Sequence, residues 1–95
     1  MAAYLIADVN VTDVDKITEY QLQVPKNVEG HGGKFLVRGG SSELLEGHEV
    51  PHRTVVLEFP DMATLKRWYE SEAYGNLKAI RERAADSWVI AVEGV

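Results

Sequence analysis

The sequence predicts an α+β fold in the order β-α-β-β-α-β, with four strands in one layer and helical segments crossing over on one side. Three observations carry this. Four short stretches alternate apolar and polar residues with a period of two, and the two longer stretches between them keep helical spacing. Each helical stretch opens on a side chain able to cap it. Near the middle of the chain, Gly32-Gly33-Lys34-Phe35-Leu36-Val37-Arg38-Gly39-Gly40 reads as a short strand with a glycine pair at each end.

In chain order, Ala3 to Val11 forms the first strand, with Leu5, Ala7 and Val9 on one face and Tyr4, Ile6, Asp8 and Asn10 on the other. Thr12 or Asp13 caps a helix whose apolar stripe is Val14, Ile17, Val24 and Val28, interrupted by Gln21. Pro25 lacks an N–H and is expected to kink or divide that helix. Gly30, Gly32 and Gly33 stop it. Strand two is Lys34 to Arg38, and Gly39 to Ser42 is a turn. Glu43 to Gly47 reads as a small extra strand. Strand three is Arg53 to Phe59, ended by Pro60. Asp61 caps a helix carrying Met62, Leu65, Trp68 and Tyr69; Ser71 caps a restart, with Tyr74, Leu77, Ile80 and Ala84 inward. The last strand is Ser87 to Glu93.

Right-handed crossovers turn this order into a ferredoxin-like, four-stranded antiparallel sheet of order 4-1-3-2, with helices on one face. The first and third strands are expected side by side in the centre, running parallel. Between strands two and three, the register that pairs Lys34 with Glu58, Phe35 with Leu57, Leu36 with Val56, Val37 with Val55 and Arg38 with Thr54 keeps the faces clean. The face away from the helices still carries Tyr4, Ile6, Leu36, Val56 and part of the apolar last strand. Leaving such a face in water is unfavourable by about 25 cal/mol per Å². A second copy of the same face is the simplest cover, which predicts a homodimer packed sheet to sheet. The alternative is shielding by Lys34 and Arg38 in a monomer.

The chain has 95 residues, room for a single domain over residues 1–95 with one modest core. A net charge of −5 argues against nucleic acid as a partner, because phosphate binding needs a basic surface. Without cysteine there is no disulfide, thiolate nucleophile or Cys-based zinc site. No apolar run reaches membrane-spanning length, and Met1-Ala2-Ala3-Tyr4 lacks the basic opening of a secretory signal. A cytoplasmic location is the resulting expectation.

Several segments together resemble the domain-of-unknown-function family 1330 (DUF1330): Gly32 to Gly40, Leu45-Glu46-Gly47, Arg53 to Pro60, Trp68 to Ser71 with Tyr74, and Val92-Glu93-Gly94. The resemblance covers nearly the whole chain. It implies membership of the dimeric α/β-barrel superfamily, in which ferredoxin-like protomers close their sheets against each other. The family has no assigned activity, so the resemblance transfers no catalytic residue. The wider superfamily includes cofactor-free monooxygenases, isomerases, binding proteins and haem enzymes, so the fold alone decides little.

The residues themselves offer a short list. Arg38, at the end of a strand, has the forked geometry to hold a carboxylate; it could equally pair with Glu58, Glu46, Asp8 or a partner subunit. Asp8 and Glu58, on adjacent central strands, are candidate general bases, or else neutralised by Lys34, Arg38 or Arg53. His52, just before the third strand, is the most suitable acid or base of the three histidines. His48 lies four residues earlier across a loop containing Pro51, a spacing that does not make a metal site. Trp68 and Tyr74 are the candidates to line a ligand pocket, against the plainer reading of both as core; Trp68 and its neighbour Tyr69 cannot both face inward. Ser41-Ser42 has no triad partners, and the glycine pairs match no nucleotide fingerprint. Two functions fit: a cofactor-free enzyme acting on a small acidic or aromatic molecule by proton abstraction or oxygenation, or a non-catalytic binding or interaction domain.

Overall fold

The computed structural model describes residues 1–95. Its elements are β1 (Ala3–Val11), α1 (Val14–Gly30), β2 (Lys34–Arg38), β3 (Thr54–Phe59), α2 (Met62–Tyr69), α3 (Glu72–Ala84) and β4 (Ala85–Glu93). The sheet order is β2-β3-β1-β4, which is the expected order read from the other edge. Every neighbouring pair is antiparallel. The expectation of parallel β1 and β3 is therefore wrong. A crossover helix makes β1 and β2 run the same way, and the β2–β3 connection then reverses the chain. The parallel partners are thus β1 and β2, held apart by β3 between them.

The caps form as the side chains dictate. Asp13, rather than Thr12, accepts from the Lys16 N–H at 3.1 Å. Asp61 accepts from the Thr64 N–H at 2.7 Å, and Ser71 from the Tyr74 N–H at 3.2 Å, so the second helical segment is two helices. The α3 helix passes directly into β4, which begins two residues earlier than expected. Glu43 to Gly47 is not a strand. Its two apolar residues, Leu44 and Leu45, are too few to bury a strand and remain exposed in the irregular stretch between β2 and β3. Gly33 is needed where it stands, because a Cβ there would sit 2.6 Å from the Phe59 ring and 2.8 Å from Val28.

The β2–β3 register departs from expectation in an informative way. Lys34 opposes Glu58 and Phe35 opposes Leu57 as expected, but a β-bulge follows, and Val37 then opposes Val56 and Arg38 opposes Val55. One extra residue flips every later side chain to the other face. Val37 joins the face away from the helices, and Arg38 turns toward α1. There its Nη2 donates to the Gln21 carbonyl at 2.7 Å. That carbonyl would normally accept from residue 25, which is Pro25 and has no N–H. Arg38 thus supplies the donor that proline removes, and α1 runs on undivided to Gly30.

The core lies between the sheet and the helices. Leu5, Ala7, Val9, Leu57 and Phe59 from the sheet meet Ile17, Val24, Val28, Leu65, Trp68, Tyr74 and Leu77. The opposite face is open, with Trp88 54% and Ile90 51% exposed, and Val92, Leu36 and Val37 exposed beside them.

Candidate functional site

Between the inner face of the sheet and helices α1 and α3 lies a small cavity of about 50 Å³. Its walls are mostly apolar, including Leu5, Ala7, Val24, Phe35 and Val55. Three arginines reach it: Arg38, Arg53 and Arg81. Arg38 is exposed, Arg53 half-buried and Arg81 only 7% exposed; Arg81 also borders a separate open groove with Lys78, Glu82 and Asp86. None of the three has a carboxylate partner, because the ion pairs of the chain are Lys16–Asp13, Lys34–Glu58 and His52–Asp8.

Each arginine is held differently. Arg38 caps Gln21, and its guanidinium lies 5.0 Å from the centre of the Phe35 ring. Arg53 packs against Gly39, whose φ is +69° and where any Cβ would collide with the guanidinium. Arg81 Nη1 donates to the Tyr74 hydroxyl at 3.3 Å, and its Nε is buried without a partner. The Tyr74 hydroxyl lies 2.8 Å from that of Tyr20. Burial pushes both phenols above their ordinary 10.0, so both stay protonated.

Trp68 and Tyr74, expected to line a pocket, do border this cavity. They are also core: both are 1% exposed, their rings are 4.1 Å apart, and Trp68 Nε1 donates to Asn27 Oδ1 at 2.7 Å. Tyr69 stays half-buried. The bulge removes Arg38 from the face of Asp8 and Glu58, where the expected register had put it, and brings it to this cavity.

The candidate bases lie on the other face. Asp8 Oδ1 accepts from the backbone N–H groups of His52 at 2.8 Å and Arg53 at 3.1 Å, while Oδ2 lies 2.9 Å from His52 Nδ1. The hydrogen bond from His52, chiefly, holds the Asp8 carboxyl below its ordinary value. A carboxylate so occupied is a poor base and a good anchor for an imidazole; it fixes Nδ1 as the donor and leaves Nε2 free. The His52 side chain is 52% exposed. Glu58 is bound to Lys34 at 3.2 Å and presses on Tyr4, raising that phenol by hydrogen bonding first and charge second. No group of three His, Asp or Glu side chains gathers to hold a metal.

Sequence reasoning missed Arg81, Arg53 and Tyr20. Arg81 sits in the last turn of α3, where a basic residue complements the helix dipole and reads as ordinary surface. A signal was available. Arg81 follows Tyr74 and Leu77 at spacings of seven and four, on the buried stripe.

A family model described as "Domain of unknown function (DUF1330)" matches residues 2–95. The chain belongs to the DUF1330 family. No curated protein matches this DUF1330 chain. Among solved structures it is similar to a protein of unknown function from Rhodopseudomonas palustris, at 19% identity and TM-score 0.75, over 99% of this chain and 82% of that one. It is also similar to a dimeric ferredoxin-like protein of unknown function from Jannaschia, at 13% identity and TM-score 0.73, over 99% and 100%. A third similar structure is SnoaB, a cofactor-independent oxygenase from Streptomyces nogalater, at 9% identity and TM-score 0.67, over 99% and 93%. At these identities the likeness is one of fold. No helix is long and apolar enough to cross a membrane.

Proposed function

We propose that this DUF1330 chain forms a homodimer through the open face of its sheet and binds a small acidic organic molecule in the cavity of each protomer. The observation that carries the binding reading is the set of three arginines, without any carboxylate partner, on an otherwise apolar cavity. Such a site suits an anion, and a carboxylate offers the matching fork. The exposed Trp88, Ile90 and Val92 support the dimer, as does the dimeric state of the Jannaschia protein. A thermal-shift panel of small carboxylates, with their neutral amides as controls, tests the binding. Acids raise the melting temperature and amides do not; a panel in which no acid shifts it refutes the proposal.

A second reading, cofactor-free catalysis, is favoured by the Asp8–His52 pair and by the fold shared with a cofactor-independent oxygenase. In it, Asp8 orients the ring and His52 Nε2 takes the proton. Glu58, tied to Lys34, is the weaker base. Binding is preferred because the pair and the cavity lie on opposite sides of the sheet. Turnover with a pH profile that disappears in His52→Ala would reverse the preference.

A further inference from the structure

We propose that Arg81, with Tyr74 and Tyr20, forms the carboxylate-binding end of the cavity, and that its ligand is a small monocarboxylate of about two or three carbons. This rests on the small-acid reading above and names both the anchor and the ligand class.

The first argument is charge. A guanidinium is ionised at every physiological pH, so Arg81 places a full positive charge in a region 93% removed from water, the complement of its 7% exposure. A charge so placed needs an opposite charge or a full set of acceptors. Arg81 has neither. Its one side-chain hydrogen bond is the 3.3 Å contact from Nη1 to Tyr74, and Nε has no partner at all. Arg38 and Arg53 are in a different position, because both keep access to water and Arg38 already holds the Gln21 carbonyl.

The second argument is the count of protons. Arginine only donates, so the Tyr74 oxygen accepts from Arg81 Nη1. The 2.8 Å hydrogen bond between Tyr74 and Tyr20 can run either way, and either way it uses one of the two phenolic protons and leaves the other. The Arg81 end of the cavity therefore combines a guanidinium charge with one free phenolic proton, and asks for acceptors. A carboxylate has two acceptor oxygens and the charge Arg81 lacks.

The third argument is size. A cavity of about 50 Å³, walled by Leu5, Ala7, Phe35 and Val55 beside the Trp68 ring, is roughly a third of the volume that admits a benzene ring, so it takes an acid of about two or three carbons. Only one of the three arginines is buried, so one carboxylate belongs beside it.

Isothermal titration of the full chain with propionate and propionamide decides this. Propionate is expected to bind at least about tenfold tighter than its neutral amide, because a carboxylate alone answers the buried charge. Arg81→Gln is expected to weaken propionate at least about tenfold, and Arg38→Ala less than about threefold. Tyr20→Phe keeps the guanidinium and removes one hydroxyl of the pair; a loss of about threefold or more supports the assignment even where Arg81→Gln fails to fold. If propionate binds but Arg38→Ala abolishes binding while Tyr20→Phe leaves it unchanged, the anchor is Arg38, and this inference falls while the small-acid reading stands. Equal binding of propionate and propionamide also overturns it. If neither propionate nor any acid of the wider panel binds, the reading beneath it falls as well.

Discussion

The two faces of this sheet differ in how their polar groups are satisfied. On the open face, the acids have partners: Asp8 holds His52 and two backbone N–H groups, and Glu58 holds Lys34. What is left over there is apolar surface, on Trp88, Ile90 and Val92. On the helix face the apolar groups are satisfied, packed around Trp68 and Phe59. What is left over is polar: three arginines without a carboxylate, one of them, Arg81, buried. An unmet apolar demand calls for another surface, and an unmet charge calls for a ligand. The faces therefore differ in what each leaves unmet.

The largest test of this contrast is on assembly. Ile90→Asp puts a charge in the centre of the open face and is expected to halve the mass seen by light scattering, down to the 10.6 kDa of one chain, while the far-ultraviolet dichroism persists. A wild-type chain already at that mass would remove the open face's need for a partner. Next in size, Trp68→Ala on the packed face is expected to cost about 3–5 kcal/mol in urea unfolding, through lost burial and a cavity. A cost under about 1 kcal/mol would show that Trp68 is not core.

Asp8→Asn is expected to cost about 1–3 kcal/mol at pH 7, because it breaks a charged hydrogen bond to His52. The pH dependence has a definite sign. The folded Asp8 carboxyl lies below its ordinary 3.8, so its contribution is complete above the unfolded value and is lost as pH falls through the lower folded one. The stability gap between wild type and Asp8→Asn should therefore close below about pH 4. A gap that persists in acid would mean the carboxylate is not what stabilises this corner.

Arg38→Ala is expected to cost about 1.5 kcal/mol, and less than about 0.5 kcal/mol in a Pro25→Ala background, where the helix regains its own donor for Gln21. Additive effects would disconnect the two residues. Smallest of the set, Ser71→Ala is expected to cost about 1 kcal/mol as a lost helix cap.

The legible part of the fold was local. Periods of two and 3.6 located the four strands and the helical segments, and single side chains announced the caps at Asp13, Asp61 and Ser71. The surplus of apolar residues on one side of the sheet was also countable in advance, because alternation assigns every strand residue to a face. The candidate site was legible only in part: Arg38, Trp68 and Tyr74 were named and border the cavity, while Arg81 read as an ordinary basic residue at a helix end.

What the chain alone determined, then, was the four strands, the helical segments and their capping, since those depend on neighbours a few residues away. The tertiary structure decided the rest. Leu36 and Val37 are both apolar, so nothing in the alternation marks the bulge there that turns Arg38 from the open face to the cavity. Pro25 and Arg38 are far apart in the chain and meet only when β2 lies beside α1. Arg81 acquires an unmet charge only when α3 closes over the sheet and takes its water away. Each of these depends on which groups lose solvent together, a property of the packed chain and of no single segment.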